Sequence, residues 1–277
     1  MRRWIHRRKI MIFTLFLAVV IGCLSIALMY RINEISEESC FEQLHEAAQN
    51  LSQDIMQHIT SDQNQLEVIA AIIANYQDIE GEETIQILNE YKASDILSRL
   101  EILLPGDRVL LNNGKVVDAS GVLSFEKEAA KGAHISDKKV DLLDSESYIL
   151  RSFVPIERDG AVAGVLYGVI DLQTLPYQWK AEEFGGNASV YVIDGNTGDF
   201  IMDTWHKTLG NLIDLGSRRM KAGYTPEQFS EDIFAGETGY VVFVSRTIGD
   251  YLYLYYEPLE INEWRLAISV PESIVYE

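Results

Sequence analysis

From Arg31 to Tyr76 the sequence contains neither proline nor glycine, and apolar side chains recur at three- and four-residue spacing: Phe41, Leu44, Ala48, Leu51, Ile55, Ile59, Leu66, Ile69, Ile73 and Tyr76. Residues so spaced share one side of an α-helix, so the stretch predicts a single long helix with an apolar stripe. At ~1.5 Å per residue it runs roughly 65–70 Å, about twice the diameter of a small domain. Whatever covers the stripe must extend along it, and two stacked modules meet that demand. His58, Asp62 and Gln65 interrupt the a/d seam. That argues against an uninterrupted coiled coil and divides the face between a partner helix and packed domains. The rival reading is one helix of a single globular core, although such helices seldom exceed about 25 residues.

Just before this stretch, Ile10 to Tyr30 carries no charged side chain, a run sufficient to cross ~30 Å of hydrocarbon as a helix. Arg2, Arg3, Arg7, Arg8 and Lys9 precede it. By the positive-inside rule, residues 1–9 are a cytoplasmic basic N-terminus, residues 10–30 a transmembrane helix of the plasma membrane, and residues 31–277 extracytoplasmic. A cleaved signal peptide would end in an Ala-x-Ala-like site, which is missing. Val20-Ile21-Gly22-Cys23 has the look of a lipoprotein box, yet residues 24–29 stay apolar where a mature lipoprotein turns polar.

Those first thirty residues hold no acid, whereas the whole chain has 42 Asp+Glu against 23 Lys+Arg. The outer region is therefore strongly acidic and repels the phosphate backbone, which excludes nucleic acid as a partner. Cys23 and Cys40 are the only cysteines, one in the apolar run and one at the foot of the long helix, so they do not read as a mutual pair. Cys40 reads as a small buried hydrophobe, with a cross-link between two chains as the alternative.

Beyond Asp78–Glu83 the helical spacing resumes over Thr84 to Leu97, and then the period changes. Leu100–Leu104, Val109–Leu111 and Lys115–Val117 read as short strands parted by Pro105-Gly106-Asp107 and Asn112-Asn113-Gly114. Ser124 caps a short helix to Lys131. Tyr148–Glu157 and Ala161–Leu172 form a hairpin over Asp159-Gly160, giving a first sheet of about five antiparallel strands. Thr174 to Phe184 reads as a connecting helix stopped by Gly185-Gly186-Asn187. The layout then repeats. Ala188–Ile193 and Phe200–Asp203 pair across a hairpin, helices occupy Leu215–Ala222 and Pro226–Ala235, and Tyr240–Arg246, Tyr251–Glu257 and Trp264–Val270 close the unit. Thr225 caps the second of those helices, with Pro226 at its first position. Residues 99–172 and 188–270 thus share layout without sharing sequence, a second argument for two modules on one helix.

This arrangement resembles the double Cache family of PAS-like extracytoplasmic sensor domains. The resemblance is carried by FVPIERDGAVAGVLYGVIDL from Phe153 and by WRLAISVPESIVYE from Trp264. The segment VYVIDGNTGDFIMDTWHKTLGN from Val190 is similar to the sensor halves of Firmicutes diguanylate cyclases. The fold class implied is α+β: a long N-terminal transmembrane and signalling helix with two tandem PAS-like antiparallel-sheet Cache modules. Residues 31–80 are then the extracytoplasmic helix, 81–184 the membrane-distal module and 185–277 the membrane-proximal one. The resemblance implies a ligand-sensing region of a bacterial transmembrane receptor, a parallel homodimer through the helix seam, and a chain that continues past Glu277 into a second span and a cytoplasmic output. A GGDEF diguanylate cyclase is placed first for that output. A histidine kinase or methyl-accepting chemoreceptor is the alternative, and a surface-anchored binding or adhesion protein without output is a reading of another class.

No two of His6, His45, His58, His134 and His206 stand at metal-ligand spacing, and no phosphate loop or nucleophile motif occurs, so neither catalysis, metal nor cofactor is expected of this chain. Asp194–Asp199 reads as a turn rather than a calcium loop, because Gly198 falls where a ligand oxygen is needed. A small-molecule ligand is the expected partner. In the distal module Tyr148 and Arg151 lie on a strand that can face a pocket. In the proximal module the candidates are Asp203, Trp205 and His206 at a strand end, with Tyr240 and Tyr255 from a tyrosine-rich sheet face. Amino-acid-sensing members of the family place an aspartate near an I-x-L tripeptide of the last strand. If Ile170-Asp171-Leu172 is that tripeptide, an Ile or Val takes the acid's place, Val169 being the better match, and the companion Arg-x-Trp-Tyr pattern is missing too, so the resemblance disfavours an amine held in that way.

Overall fold

The computed structural model describes residues 2–91, 94, 96–179, 181, 183–206, 210–212 and 218–276. Helix α1 (Arg2–Ala74) is continuous, so the apolar run and the long outer stretch are one rod. Its apolar part is long enough to cross a membrane, and none of that window is buried. Phe13, Phe16, Leu24, Leu28 and Met29 are each more than 60% exposed, an arrangement stable in lipid rather than water.

Two antiparallel sheets lie along the rest of the rod. The first has seven strands: β1 (Leu97–Leu104), β2 (Arg108–Leu110), β3 (Val116–Asp118), β4 (His134–Ile135), β5 (Lys139–Val140), β6 (Tyr148–Arg158) and β7 (Ala161–Asp171), in the order β3-β2-β1-β7-β6-β4 with β5 also on β6. The second has five: β8 (Ser189–Asp194), β9 (Phe200–Asp203), β10 (Gly239–Val244), β11 (Tyr251–Pro258) and β12 (Trp264–Pro271), in the order β10-β11-β12-β8-β9. With β3 set aside the two orders correspond, β10 taking the place of β4 and β5, so the repeated layout expected from the sequence is present. Asp159 and Gly160 both have positive φ (49° and 78°), the backbone that a two-residue hairpin requires between β6 and β7.

Both sheets turn one face to α1. Leu44, Ala48, Ile55, Leu66 and Ile73 are buried in one apolar cluster with Ile102, Leu150, Leu166, Val242, Ile268 and Val270. On the far face of the first sheet, Phe153, Val165, Tyr167 and Val169 pack beneath α3 (Phe125–Lys131). The far face of the second, with Tyr191, Leu252, Leu254 and Tyr256, packs beneath α5 (Pro226–Ala235). Alternation along β11 places Tyr253 and Tyr255 on the helix-facing side, where both are buried in the apolar cluster.

Polar groups pin the rod in register. Glu37 accepts from Lys221 Nζ (2.6 Å), His45 Nδ1 bonds the Tyr255 hydroxyl (2.6 Å), and Asp62 accepts from Ser94 (2.8 Å). At the helix end, Arg158 donates to the carbonyls of Ala74 (3.0 Å), Gln77 (3.4 Å) and Tyr76, acceptors that a helix C-terminus otherwise leaves open. Cys40 is buried against the second sheet; burial, with the nearby Glu37 charge, pushes its thiol up to about 12, so it behaves as the small hydrophobe.

Several elements differ from the sequence reading. Helix α2 (Glu82–Glu90) stops well short of Leu97, because Leu97 already pairs with Ile170 in the first sheet. Ser124 makes no side-chain cap to α3; Asp107 accepts from the Phe125 N–H instead (2.8 Å). The connection expected as one helix over 174–184 is a single turn, α4 (Leu175–Gln178), followed by a 3-10 turn at Glu183–Gly186 in which Phe184 has positive φ. Of the helix expected over 215–222, residues 215–217 lie outside the described residues. Residues 219–221 run beside β10, with Lys221 N–H donating to Val242 O and Val244 N–H to Arg219 O (both 2.8 Å). An open sheet edge offers backbone partners that helical capping there does not. The first sheet also gains β4 and β5, too short to carry a period.

Arg158→Met removes three carbonyl contacts at once. It is expected to cost about 1–3 kcal/mol, read as a lower denaturant midpoint with an unchanged slope.

Candidate functional site

The first sheet carries an open cavity of ≈ 750 Å³ on the face away from α1. Its floor is β6, whose alternation turns Arg151 and Phe153 to the same side. Residues 121–124 and α3 roof it. The strap between β4 and β5 forms one wall with His134, Ser136 and Asp137, and Asn262 reaches in from the second sheet's β11–β12 connection.

Each wall is held locally. His134 stacks on Phe153 (centroids 4.9 Å, 19° between planes) and meets acceptors at both ring nitrogens, Gly132 O (2.7 Å) and Glu128 Oε2 (2.8 Å). Burial raises the Glu128 carboxyl, but hydrogen bonds from Lys131 and His134 outweigh it and hold the group below the usual carboxylate range. Ser136 accepts from the Arg151 N–H (2.9 Å) and its own N–H donates to Arg151 O (2.8 Å), fastening the strap to the floor. Beside the floor, on the same face of the sheet, Arg99 Nε donates to Glu101 (2.7 Å) and its Nη2 to both oxygens of Asp141 (2.7 and 2.9 Å). The Tyr167 hydroxyl donates to the other Glu101 oxygen (2.6 Å). Burial, then the Glu101 charge, pushes that phenol well up. The Arg151 guanidinium lies 5.8 Å over the Tyr167 ring.

The strap also ties the two sheet units together. Asn262 Nδ2 donates to Ile135 O (3.2 Å), and Lys138 Nζ lies 3.5 Å from Asp199 and 3.4 Å from Phe200 O.

Of the distal candidates, Arg151 lines this cavity. Tyr148 does not: it is half exposed, with Lys138 Nζ 5.3 Å over its ring. The five proximal candidates divide between the two faces of the second sheet. Asp203 is buried and accepts from Trp205 N–H (2.8 Å), His206 N–H (2.9 Å) and His206 Nδ1 (2.7 Å), while the Trp205 and His206 rings stack at 5.4 Å. Tyr240 stacks on Phe41 of α1 (4.1 Å), and Tyr255 bonds His45 and Glu257 (3.0 Å) on that helix-facing side. His134, Phe153 and Glu128 escaped the sequence reading as site residues. His134 and Glu128 are brought together only by the bend at Gly132, and nothing in local periodicity marks it.

A rod with two sheets of matching strand order, one of them holding a cavity roofed by a short helix, defines a tandem sensor-type fold. The chain belongs to the Cache family: the dCache model, described as a Cache domain, matches residues 32–277. Solved structures share the fold at low identity. The extracellular domain of rpHK1S-Z16, described as that of a histidine kinase, aligns with a TM-score of 0.62 at 15% identity over 86% of this chain and 97% of that one. The Pseudomonas aeruginosa PAO1 amino acid chemoreceptor PctB, in complex with L-Gln, gives 0.58 at 15% over 84% and 91%. The Campylobacter jejuni chemoreceptor Tlp3, with isoleucine bound, gives 0.59 at 14% over 88% and 98%. A search of curated protein sequences finds no match.

The Glu128 arrangement has a sign that can be checked. A carboxyl held below its unfolded value adds stability above that value, near 4.3, and loses it as pH falls through the depressed one. The difference in melting temperature between the wild type and Glu128→Gln is therefore expected to be largest near neutral pH and to close in acid.

Proposed function

We propose that this chain is the extracytoplasmic ligand-sensing region of a bacterial transmembrane signalling receptor, with the cavity over β6 as its ligand site. The observation that carries the reading is the strap, which walls the cavity on one side and is bonded to the second sheet unit on the other. A ligand that favours one strap position biases that contact, and differential affinity for two arrangements is the only means by which a ligand drives a change. From the second unit the route to the membrane is short. Lys221 bridges Glu37 of α1 (2.6 Å) and the Tyr253 hydroxyl (2.8 Å), which in turn meets Tyr276 (3.0 Å).

Residues 1–9 are the cytoplasmic N-terminus, 10–30 the span, 81–184 the membrane-distal module and 185–277 the membrane-proximal one. The five-stranded sheet packs on α1 near Phe41 and His45, nearer the apolar segment than the first sheet, which supports that order. Val68 and Ile72, one turn apart on α1, remain exposed and support a second copy of the rod alongside in a parallel homodimer. The amino acids held by PctB and Tlp3 support a small metabolite as ligand. For the output, the likeness to sensor regions of histidine kinases and chemoreceptors supports those two classes as much as the diguanylate cyclase suggested by residues 190–211. The sequence downstream of Glu277 decides among them, and a frame without a second span returns the reading to a surface-anchored binding protein.

The ligand site is tested by a thermal-shift screen of small metabolites on the full chain in nanodiscs. A stabilising compound is expected to lose its effect on Lys127→Glu or Lys139→Glu at the cavity and to keep it on Trp205→Ala and His206→Ala. The reverse pattern moves the site to the second sheet. With that compound bound, hydrogen exchange over residues 37–55 is expected to change in the wild type and to stay constant in the Lys138→Ala, Asn262→Ala double variant.

A further inference from the structure

We propose that the end of the second sheet unit bearing the β10–β11 turn rests on the phospholipid headgroups of the membrane that α1 crosses, with Ile248 and Trp205 at the interface and Arg219 and Arg246 on lipid phosphates. The inference rests on reading residues 10–30 as the span and goes on to a surface that this reading leaves unassigned.

Helix α1 gives the height of this sheet above the span. Lys221 Nζ bonds both Glu37 and the Tyr253 hydroxyl (2.6 and 2.8 Å), the Tyr253 ring lies 5.8 Å from that of Phe41, and the Tyr255 hydroxyl bonds His45 (2.6 Å). Strand β11 therefore climbs away from the span alongside the rod. Followed back at ~3.4 Å per residue against ~1.5 Å along the helix, Tyr251 falls level with about Glu37, and the turn before it with about residues 32–35. For a rod along the membrane normal those residues lie ~3–8 Å past Tyr30, within the headgroup layer that borders ~30 Å of hydrocarbon.

Three stretches meet at that end. Residues 246–249 of the turn are exposed, and Ile248 at its tip is 48% exposed. His206 Nε2 lies 3.5 Å from the Thr247 hydroxyl, and the Trp205 ring stacks on His206, so the end of β9 stands beside the turn. Tyr276, also exposed, is held there through the Tyr253 hydroxyl (3.0 Å). A single exposed isoleucine is ordinary. One flanked by a tryptophan and a tyrosine at headgroup height has the make-up of an interfacial belt.

Charge at this end runs against that of the chain, whose net value is −19. Arg246 and Arg219 are exposed at the same sheet edge, where the Val244 N–H donates to Arg219 O (2.8 Å). Of the acids nearby, Glu34 pairs with Arg31 (3.0 Å), Glu37 with Lys221 (2.6 Å) and Asp203 with His206 (2.7 Å). Asp250 accepts from the Tyr251 N–H (2.8 Å) and faces Glu272, while Glu38 stands exposed on the rod. An acidic body is held off anionic headgroups, so the arginines decide which end approaches them. Their long stems let the guanidinium reach down to a phosphate, which its fork matches with two bonds.

The test uses the full chain carrying Cys23→Ser, in nanodiscs of phosphatidylglycerol and phosphatidylcholine, with a nitroxide on one introduced cysteine; Cys40 is buried. Collisions with oxygen, which enriches in lipid, are compared with those of a water-soluble nickel chelate. Labels at Ile248→Cys, at Leu143→Cys on the first sheet unit as the water reference, and at Phe16→Cys as the hydrocarbon reference are read in turn. The oxygen-to-nickel ratio at 248 is expected to fall between the two references. Adding Arg219→Glu and Arg246→Glu, or raising the salt, is expected to lower it to the value at 143. A ratio at 248 equal to that at 143, with the label at 16 in hydrocarbon, overturns the proposal and leaves the span standing. A label at 16 that reads as water overturns the span reading and the proposal with it. A label at 248 shielded from both reagents marks a protein occupant, such as a second copy, and also overturns it. A lipid-like ratio that survives both charge reversals overturns the assignment of the arginines to phosphate.

Discussion

The apolar stripe of α1 is the constraint on which the rest depends. Helix α1 runs unbroken from Arg2 to Ala74, and beyond its exposed apolar part its buried residues begin at Cys40 and reach Ile73. One sheet is too narrow to cover that length, so two sheets stack along it and share one apolar cluster with it. Each sheet has a second face, and that face is closed by its own helix, α3 over the first and α5 over the second. The fold is thus a rod with two two-faced sheets, in which the faces turned to the rod are committed to packing and the faces turned away are free to differ.

Polar residues on the rod decide where along it each sheet sits. An apolar stripe alone allows sliding by a helical turn, whereas Glu37, His45 and Asp62 each have a partner whose loss would leave a desolvated polar group. The rod and the second sheet are therefore linked by groups that cannot slip without exchanging partners, and the first sheet is bonded to the second through Asn262 and Lys138. The rod and both sheets are thus tied together by polar contacts as well as by the shared apolar cluster.

Charged side chains cluster on the outer face of the first sheet, beside the cavity. Arg99 and Arg151 share that face with two carboxylates, Glu101 and Asp141, so the group balances in charge, with both carboxylates bonded to Arg99 and the Arg151 guanidinium lying over the Tyr167 ring. The tyrosine-rich helix-facing side of the second sheet shows the contrast. The hydroxyls of Tyr253 and Tyr255 are matched to Lys221, His45 and Glu257, and burial pushes both phenols well up.

By itself the sequence determined the rod, the apolar span, the hairpins and the repeated strand layout, because periodicity, turn residues and the absence of Gly and Pro act over a few neighbouring residues. It also put Arg151 on a strand, and that strand floors the cavity. Tertiary structure alone decided that Asp107 rather than Ser124 caps α3, that 219–221 joins a sheet edge, and that Tyr240 and Tyr255 turn away from Asp203, Trp205 and His206. It also decided that His134 and Asn262, far apart in the chain, wall the same cavity. Those outcomes are set by competition among partners distant in sequence for one backbone edge, one carboxylate or one face, and no local pattern records which of them wins.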